Sequence, residues 1–331
     1  MLMEEFYYQP LLDIQLGKRP RRPPFSKAEA VFLTRALARN PHKIARFRMM
    51  PKIHKNPFKL RGLVCSAGTF ANDWSKWLDH HLQKAVPFVK SYLRDSQSLL
   101  DDLKPRRFPR AARLFTADAI AMYDNIDTDH AIRVIGWLLD RLRPLLPPDF
   151  PFNAVKFAMW VIMKNNIFQF GVLYFLQLLG TAMGTPVAVM WATLYFAYHE
   201  HMCLLPKYGT NLLYFKRYID DIIAIWLGDA AAWSNFVANL NNFGILKWEV
   251  EKPSLSVDFL DLTLTLVDGK IETKTFQKPL NLYLYIPPTS NHPPGCLKGT
   301  IFGLIGRFFA SNTHRKDYIR FVALLYARLI E

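Results

Sequence analysis

Residues 212–226 read LLYFKRYIDDIIAIW, two apolar, β-rich runs at 212–218 and 222–226 separated by Ile219, Asp220 and Asp221. Runs of this length around a short polar centre predict a β-hairpin with both aspartates at its tip. Adjacent carboxylates between apolar strands repel each other and are poorly solvated, so a cation should neutralise them. An ordinary Asp-rich turn is the plainer explanation, since aspartate favours turns. A third acid weighs against it: Asp118 ends another apolar run, Phe115-Thr116-Ala117-Asp118. Three carboxylates on neighbouring strand ends can hold two Mg²⁺ ions about 3.5–4 Å apart. Magnesium suits such a site because it takes carboxylate oxygens and keeps positions for water and phosphate.

Outward from this centre, periodicity predicts a helix over 27–39 and a second over 73–86. Asn72 or Asp73 would cap the second, and Trp74, Trp77, Leu78 and Leu82 would line one face. A strand is expected at 114–118, then a helix from Thr128 with Ile132, Ile135, Leu138, Leu139 and Leu142 at helical spacing. Pro144, Pro147, Pro148 and Pro151 make a break. Pro186 can start the next helix, with Met190, Trp191, Leu194 and Tyr198 on its buried side. A second hairpin is expected from 259–266 and 270–277 around Asp268-Gly269, and the tail from Gly303 reads as helix.

The chain has 331 residues, 51% apolar and 14% aromatic, enough for a large core. Its net charge is +15, and between Lys18 and Arg61 fourteen basic residues face one acid, Glu29. Phenylalanines interleave this stretch, which favours nucleic acid as partner, although membrane phosphates would satisfy the charge equally. Cys65, Cys203 and Cys296 are far apart and form no zinc or disulfide pattern, which suits a reducing compartment. The first apolar stretch is too short and too broken for a signal peptide. No charge occurs from Asn165 to Tyr198, and 180–198 is long enough to cross a bilayer. Gly180, Gly184, Thr185 and Pro186 make a loop feeding a short buried helix the better account, so no membrane partner is expected.

Several strings, in order, resemble reverse transcriptases, most closely those of Penelope-like retroelements. PKIHK at 51–55 with Arg61 is similar to that family's opening of the fingers, and SYLRDS at 91–96 also fits. DAIAMYDN at 118–125, QLLGTAMGTPVA at 177–188 and RYIDDI at 217–222 look like its three catalytic motifs. FLDLTL at 259–264, Lys278-Pro279 and SNHP at 290–293 follow in the family's order. Against the pattern, Gly62 replaces a proline, which would loosen a fingers turn. Asp124 and Asp127 replace Thr and Pro, which would add acid near the site, and Val189 replaces another proline. Met183 is usual in this family. The family's GIY-YIG endonuclease has no counterpart, as in a fragment or an endonuclease-free type.

The resemblance implies an α+β right-hand polymerase. A basic segment and fingers would occupy 1–110, a palm with an antiparallel sheet and inserted fingers elements 111–278, and a partial thumb 279–331. It implies an RNA-directed DNA polymerase working on an RNA template, a DNA primer and deoxynucleoside triphosphates. Two Mg²⁺, with Mn²⁺ as a substitute, would be held by Asp118 and Asp220, with Asp221 completing the site. Tyr123 would exclude the ribose 2′-hydroxyl. Arg61, Lys52, Gln177 and Gly184 would meet the nucleotide, with Gly180 suiting a close approach to the base pair. Lys55, Arg48 and Lys278 would meet nucleic acid. Lys247 or Lys252 would serve as proton donor to pyrophosphate. The alternatives are an RNA-dependent RNA polymerase and an inactive nucleic-acid-binding homologue. His80-His81 and His199-Glu200-His201 lack the spacing of a helical zinc motif. KRPRRPP at 18–24 reads as a nuclear-import signal or as a phosphate contact, so the nucleus or cytoplasm is expected, with the nucleus favoured.

Overall fold

Strand β7 (Asp221–Trp226) is apolar on both faces because it lies inside a sheet covered on both sides. Ile222, Ala224 and Trp226 enter one core, while Ile223 and Ile225 enter another. In this computed structural model the described residues are 26–39, 43–52, 59–278, 285–286, 290–293 and 295–330. KRPRRPP and Lys55 lie outside them. β7 pairs antiparallel with β6 (Leu212–Tyr218) and β3 (Arg113–Ala119), and β3 pairs with β8 (Trp248–Val250), giving the order β6-β7-β3-β8.

Helices cover one face. α2 (Phe70–Gln83), α4 (Thr128–Leu142), α5 (Phe152–Lys164) and α6 (Ala188–His199) share a core with Phe115, Ala117 and Ile222. α6 is buried on nearly every side, which explains its lack of charge. Among the described residues, no helix is long and apolar enough to cross a membrane. The α2 cap differs from expectation: Thr69 Oγ1 accepts the Asn72 N–H, which puts Asp73 inside the first turn. α5 was masked in the sequence by the prolines before it. Pro151 sits at its N-cap, where a missing N–H removes no helical bond.

The opposite face meets α3 (Ser96–Leu103) and a three-stranded sheet, β9 (Ser256–Phe259), β10 (Leu262–Val267) and β11 (Lys270–Thr275). The hairpin expected from 259 therefore begins later. Leu260 takes φ 54°, and the chain reverses there so that Phe259 pairs with Leu262. A separate sheet, order β2-β1-β4-β5, joins β1 (Ala45–Lys52) and β2 (Lys59–Cys65) to β4 (Ile167–Phe170) and β5 (Leu173–Leu176). None of these four strands was expected. α1 (Lys27–Arg39) matches its predicted span. α9 (Cys296–Ser311) starts seven residues before Gly303 and packs on α10 (Arg315–Ile330) through Phe308, Phe321 and Leu325. (Two further helices are α7, Leu205–Tyr208, and α8, Ala230–Leu240.)

Buried on α2, His81 lies against the rings of Trp77 and Phe150. Burial pushes its imidazole down to about 4, Lys84 and His80 add to this, and Glu29 and Asp149 oppose it. The folded state thus binds the proton less readily than the unfolded chain. The resulting stability should be complete above pH 6.5 and lost as pH falls towards 4, by no more than about 3 kcal/mol. Denaturant unfolding of wild type and His81→Phe at pH 7 and pH 5 measures it. The wild type should lose more between the two pH values than the variant.

Candidate active site

The sheet register brings the acids together. Asp118 on β3 stands directly opposite Asp221 on β7 and, on its other side, opposite Glu249 on β8. Directly opposed residues of antiparallel strands share a face with Cβ atoms about 4.5–5.5 Å apart. Three carboxylates therefore form a row across the sheet, on the face turned away from the helical core. Glu249 was not identified from the sequence. Its signal was the alternation in Trp248-Glu249-Val250-Glu251, which a charged edge strand also produces. Thr116 Oγ1 donates to Glu251 Oε2 at 2.9 Å. A cavity of about 410 Å³ lies beside the row, lined by Asp118, Asp221, Glu249, Glu251, Asp258 and Lys278. Lys278, expected to meet nucleic acid, is thus an exposed cation among acids.

Asp220 occupies the turn. Ile219 before it takes φ 55°, an unusual conformation for a β-branched residue. The Asp220 carbonyl accepts the Ala119 N–H at 2.8 Å, tying the turn to the end of β3. Tyr123 follows in the next loop, where it is half-buried. Burial pushes its phenol up to about 12; the Asp220 charge adds to the rise and Arg61 opposes it. The ring therefore lies within electrostatic reach of both.

The glycine-rich loop meets protein backbone. Gly180, at φ 80°, would place a Cβ 2.6 Å from the Tyr123 carbonyl oxygen, and Thr181 donates to that same oxygen at 2.6 Å. Gly184, at φ 111°, would place one 2.5 Å from the Val64 carbonyl oxygen. Val64 N–H donates to the Met183 carbonyl at 2.7 Å, and Ser66 Oγ to that of Gly184 at 3.2 Å. The close packing that glycine permits at 180 and 184 is made here against Tyr123 and β2. Gln177 accepts from Asn166 Nδ2 at 2.6 Å and donates to the Leu179 carbonyl at 3.0 Å.

Arg46, Arg48 and Arg61 are exposed and share one face of the β1–β2 hairpin, since Arg46 pairs with Cys65, Arg48 with Leu63 and Met50 with Arg61. Lys52 pairs with Lys59 in the same register. Gly62 lies on the other face in mid-strand, where a Cβ would meet the Phe47 ring at 2.8 Å. It makes room for an aromatic rather than loosening a turn. Asp127 caps α4 by accepting the His130 N–H at 2.7 Å, so its carboxylate has a structural task. Lys247 Nζ donates to the Asn241 carbonyl at 2.8 Å, and Lys252 is exposed.

Each member of His199-Glu200-His201 has a hydrogen-bond partner within the protein. His199 Nε2 pairs with the Asn239 carbonyl at 2.8 Å, and His201 Nε2 accepts the Lys90 N–H at 3.0 Å. Burial holds the His201 imidazole below its ordinary pKa, with Glu200 opposing. Among the described residues, no three His, Cys, Asp or Glu side chains close on one ion-sized point. The facing pair Asp118 and Asp221 nevertheless suits a hard divalent cation. Magnesium is held by one or two carboxylates and completed by water and phosphate oxygens, rather than by an all-protein cage.

No protein-family model matches the sequence, and no curated protein aligns with it. Solved structures do share its fold. Telomerase from Candida albicans, in complex with a TWJ fragment of telomeric RNA, superposes with a TM-score of 0.57 at 10% identity, over 83% of this chain and 52% of that one. The BmCPV RNA-dependent RNA polymerase at its elongation state gives 0.56 at 12%, over 84% and 25%. Apo telomerase from Candida tropicalis gives 0.53 at 10%, over 86% and 57%. The chain spans about half the length of the telomerases and a quarter of the viral polymerase. The chain shares the fold of the matching parts of these telomerases and this viral RNA polymerase.

Proposed function

We propose that the chain is an RNA-directed DNA polymerase of a retroelement, similar to the Penelope-like type, that extends a DNA primer on an RNA template. One observation carries the reading. Asp118 faces Asp221 across the sheet, with Asp220 in the adjoining turn and Tyr123 in electrostatic reach of Asp220 and Arg61. Asp118, Asp220 and Asp221 would hold two Mg²⁺, which when bound would lower the pKa of the primer 3′-hydroxyl and neutralise the leaving pyrophosphate. Phosphoryl transfer asks little else of the protein beyond in-line positioning and charge neutralisation. Arg61 supplies a planar fork for the triphosphate. The basic face around Arg46 and Arg48 supplies phosphate contacts, and the ring of Tyr123 crowds a 2′-hydroxyl. The nucleus is the compartment this reading favours.

A second reading, RNA-dependent RNA polymerase, has its own support in the superposition on the viral polymerase, which nearly equals that on telomerase. Primer extension on RNA and DNA templates with each nucleotide set separates the two. The wild type should use deoxynucleotides, and Tyr123→Val should raise relative ribonucleotide use by one to two orders of magnitude, roughly 1.4–2.8 kcal/mol of lost discrimination. A wild type that prefers ribonucleotides moves the second reading ahead. If both rates fall at constant ratio, Tyr123 is a packing residue.

A further inference from the structure

Glu200 and Arg217 have no part in the chemistry above, yet both are fully buried, at 0% and 1% exposure. Arg217 Nε donates to Glu200 Oε1 at 2.5 Å and Nη2 to Oε2 at 3.0 Å, while Ser91 Oγ donates to Oε2. Nη2 also reaches the Thr193 carbonyl at 2.8 Å, and Nη1 the Ile219 carbonyl at 2.8 Å. Glu200 sits where α6 widens into a π-turn, Glu200–Leu204, a distortion frequent at functional sites. A buried ion pair is a costly way to stabilise a core, because desolvation offsets most of the attraction. Its persistence asks for another reason.

The bond to Ile219 supplies one. Ile219 is held at φ 55°, a strained conformation for a β-branched residue that persists only where its surroundings enforce it. Its carbonyl belongs to the peptide plane whose other end is the Asp220 nitrogen. Fixing that oxygen therefore fixes the direction in which Asp220 leaves the turn. The Ala119 N–H on the Asp220 carbonyl fixes the next plane. Glu200 in turn sets the guanidinium by a two-point grip. The Arg217 backbone is itself pinned, its N–H to the Ser91 carbonyl at 2.7 Å and its carbonyl to the Leu93 N–H at 2.9 Å.

We infer that the Glu200–Arg217 pair is a positioning device that holds the Ile219–Asp220 turn in its cation-binding orientation. This role rests on the polymerase reading of Asp220. Two variants separate positioning from stability. In the double variant Glu200→Gln/Arg217→Met no charge remains buried, but no donor reaches Ile219. Arg217→Lys keeps the charge on a single ammonium that cannot serve Glu200 and Ile219 together. Both are compared with wild type by thermal melt, template-primer binding, and Mg²⁺ titration of primer extension. Any folded variant should bind template-primer within about twofold of wild type, extend at least tenfold more slowly, and need several-fold more Mg²⁺ for half-saturation. The double variant should melt above Glu200→Gln alone without recovering activity. Folded variants with wild-type rate and Mg²⁺ dependence overturn the role, as does unfolding of both, which makes the pair a folding element. Absence of extension by wild type itself overturns the polymerase reading and this role with it.

Discussion

Asp118→Asn is expected to slow Mg²⁺-dependent primer extension by at least 10³-fold, about 4 kcal/mol of transition-state stabilisation, while leaving the fold intact. Asp118 is the middle of a row, with Asp221 on one side and Glu249 on the other, so it carries the largest share of the mutual repulsion. Without divalent cation, removing that charge relieves like-charge contacts, and the variant should melt at or slightly above the wild-type temperature. With Mg²⁺ the order should reverse, because wild type gains binding energy that the variant lacks. Asp220→Asn should show a similar loss of extension, with a smaller effect on the cation-free melt because Asp220 stands in the turn. Extension by Asp118→Asn within tenfold of wild type would remove Asp118 from the reacting centre. A destabilised cation-free variant would contradict the repulsive row.

Gly184→Ala should be strongly destabilising. The new methyl would sit 2.5 Å from the Val64 carbonyl oxygen, and the backbone is held at φ 111°. Strain and clash together should cost about 3 kcal/mol or more, lowering the melting temperature by about 4 °C or more. Gly171→Ala is the matched control, since it also has positive φ, 62°, with nothing within 4 Å of the added methyl. It should cost about 1 kcal/mol. Equal melts for the two variants would refute a tight seat for the 183–185 loop on β2.

The centre of the fold was legible because local pattern and chemistry agreed there. Two apolar runs over 212–226 around a short polar centre read as a hairpin with both acids at its tip; the fold keeps Asp220 in the turn and makes Asp221 the first residue of β7. α4 was equally plain, since Ile135, Leu138, Leu139 and Leu142 repeat at helical spacing and are buried. The β1–β2 hairpin escaped because its outer face is arginine. Ala45 and Phe47 point into a small core with Val64 and Ala182, but the interleaved charges read as a basic tract rather than as alternation. Glu249 escaped for a different reason. Its partner Asp118 is 131 residues away in sequence, and only strand order sets them side by side. The glycines of 180–184 were recognised as close-approach positions, but no pattern names the surface approached. Asp127 reads in the sequence only as an acid near the site, and its task of accepting the third N–H of α4 shows only in the fold.

The pairing of β1 with β4 also constrains the order of events during synthesis. Ala45 and Arg46 line up in parallel with Phe168 and Gln169, so the inner edge of the first hairpin, complete at Cys65, has no partner until the chain has been made as far as Phe170. Pairings this distant are slow to form, because loop closure precedes any reward. On the ribosome, an open edge beside an aromatic face could template intermolecular pairing. Arg46 and Arg48 on β1 oppose that by repelling a second copy of the same strand. The basic tract would thus have guarded the nascent chain before any phosphate reached the finished surface.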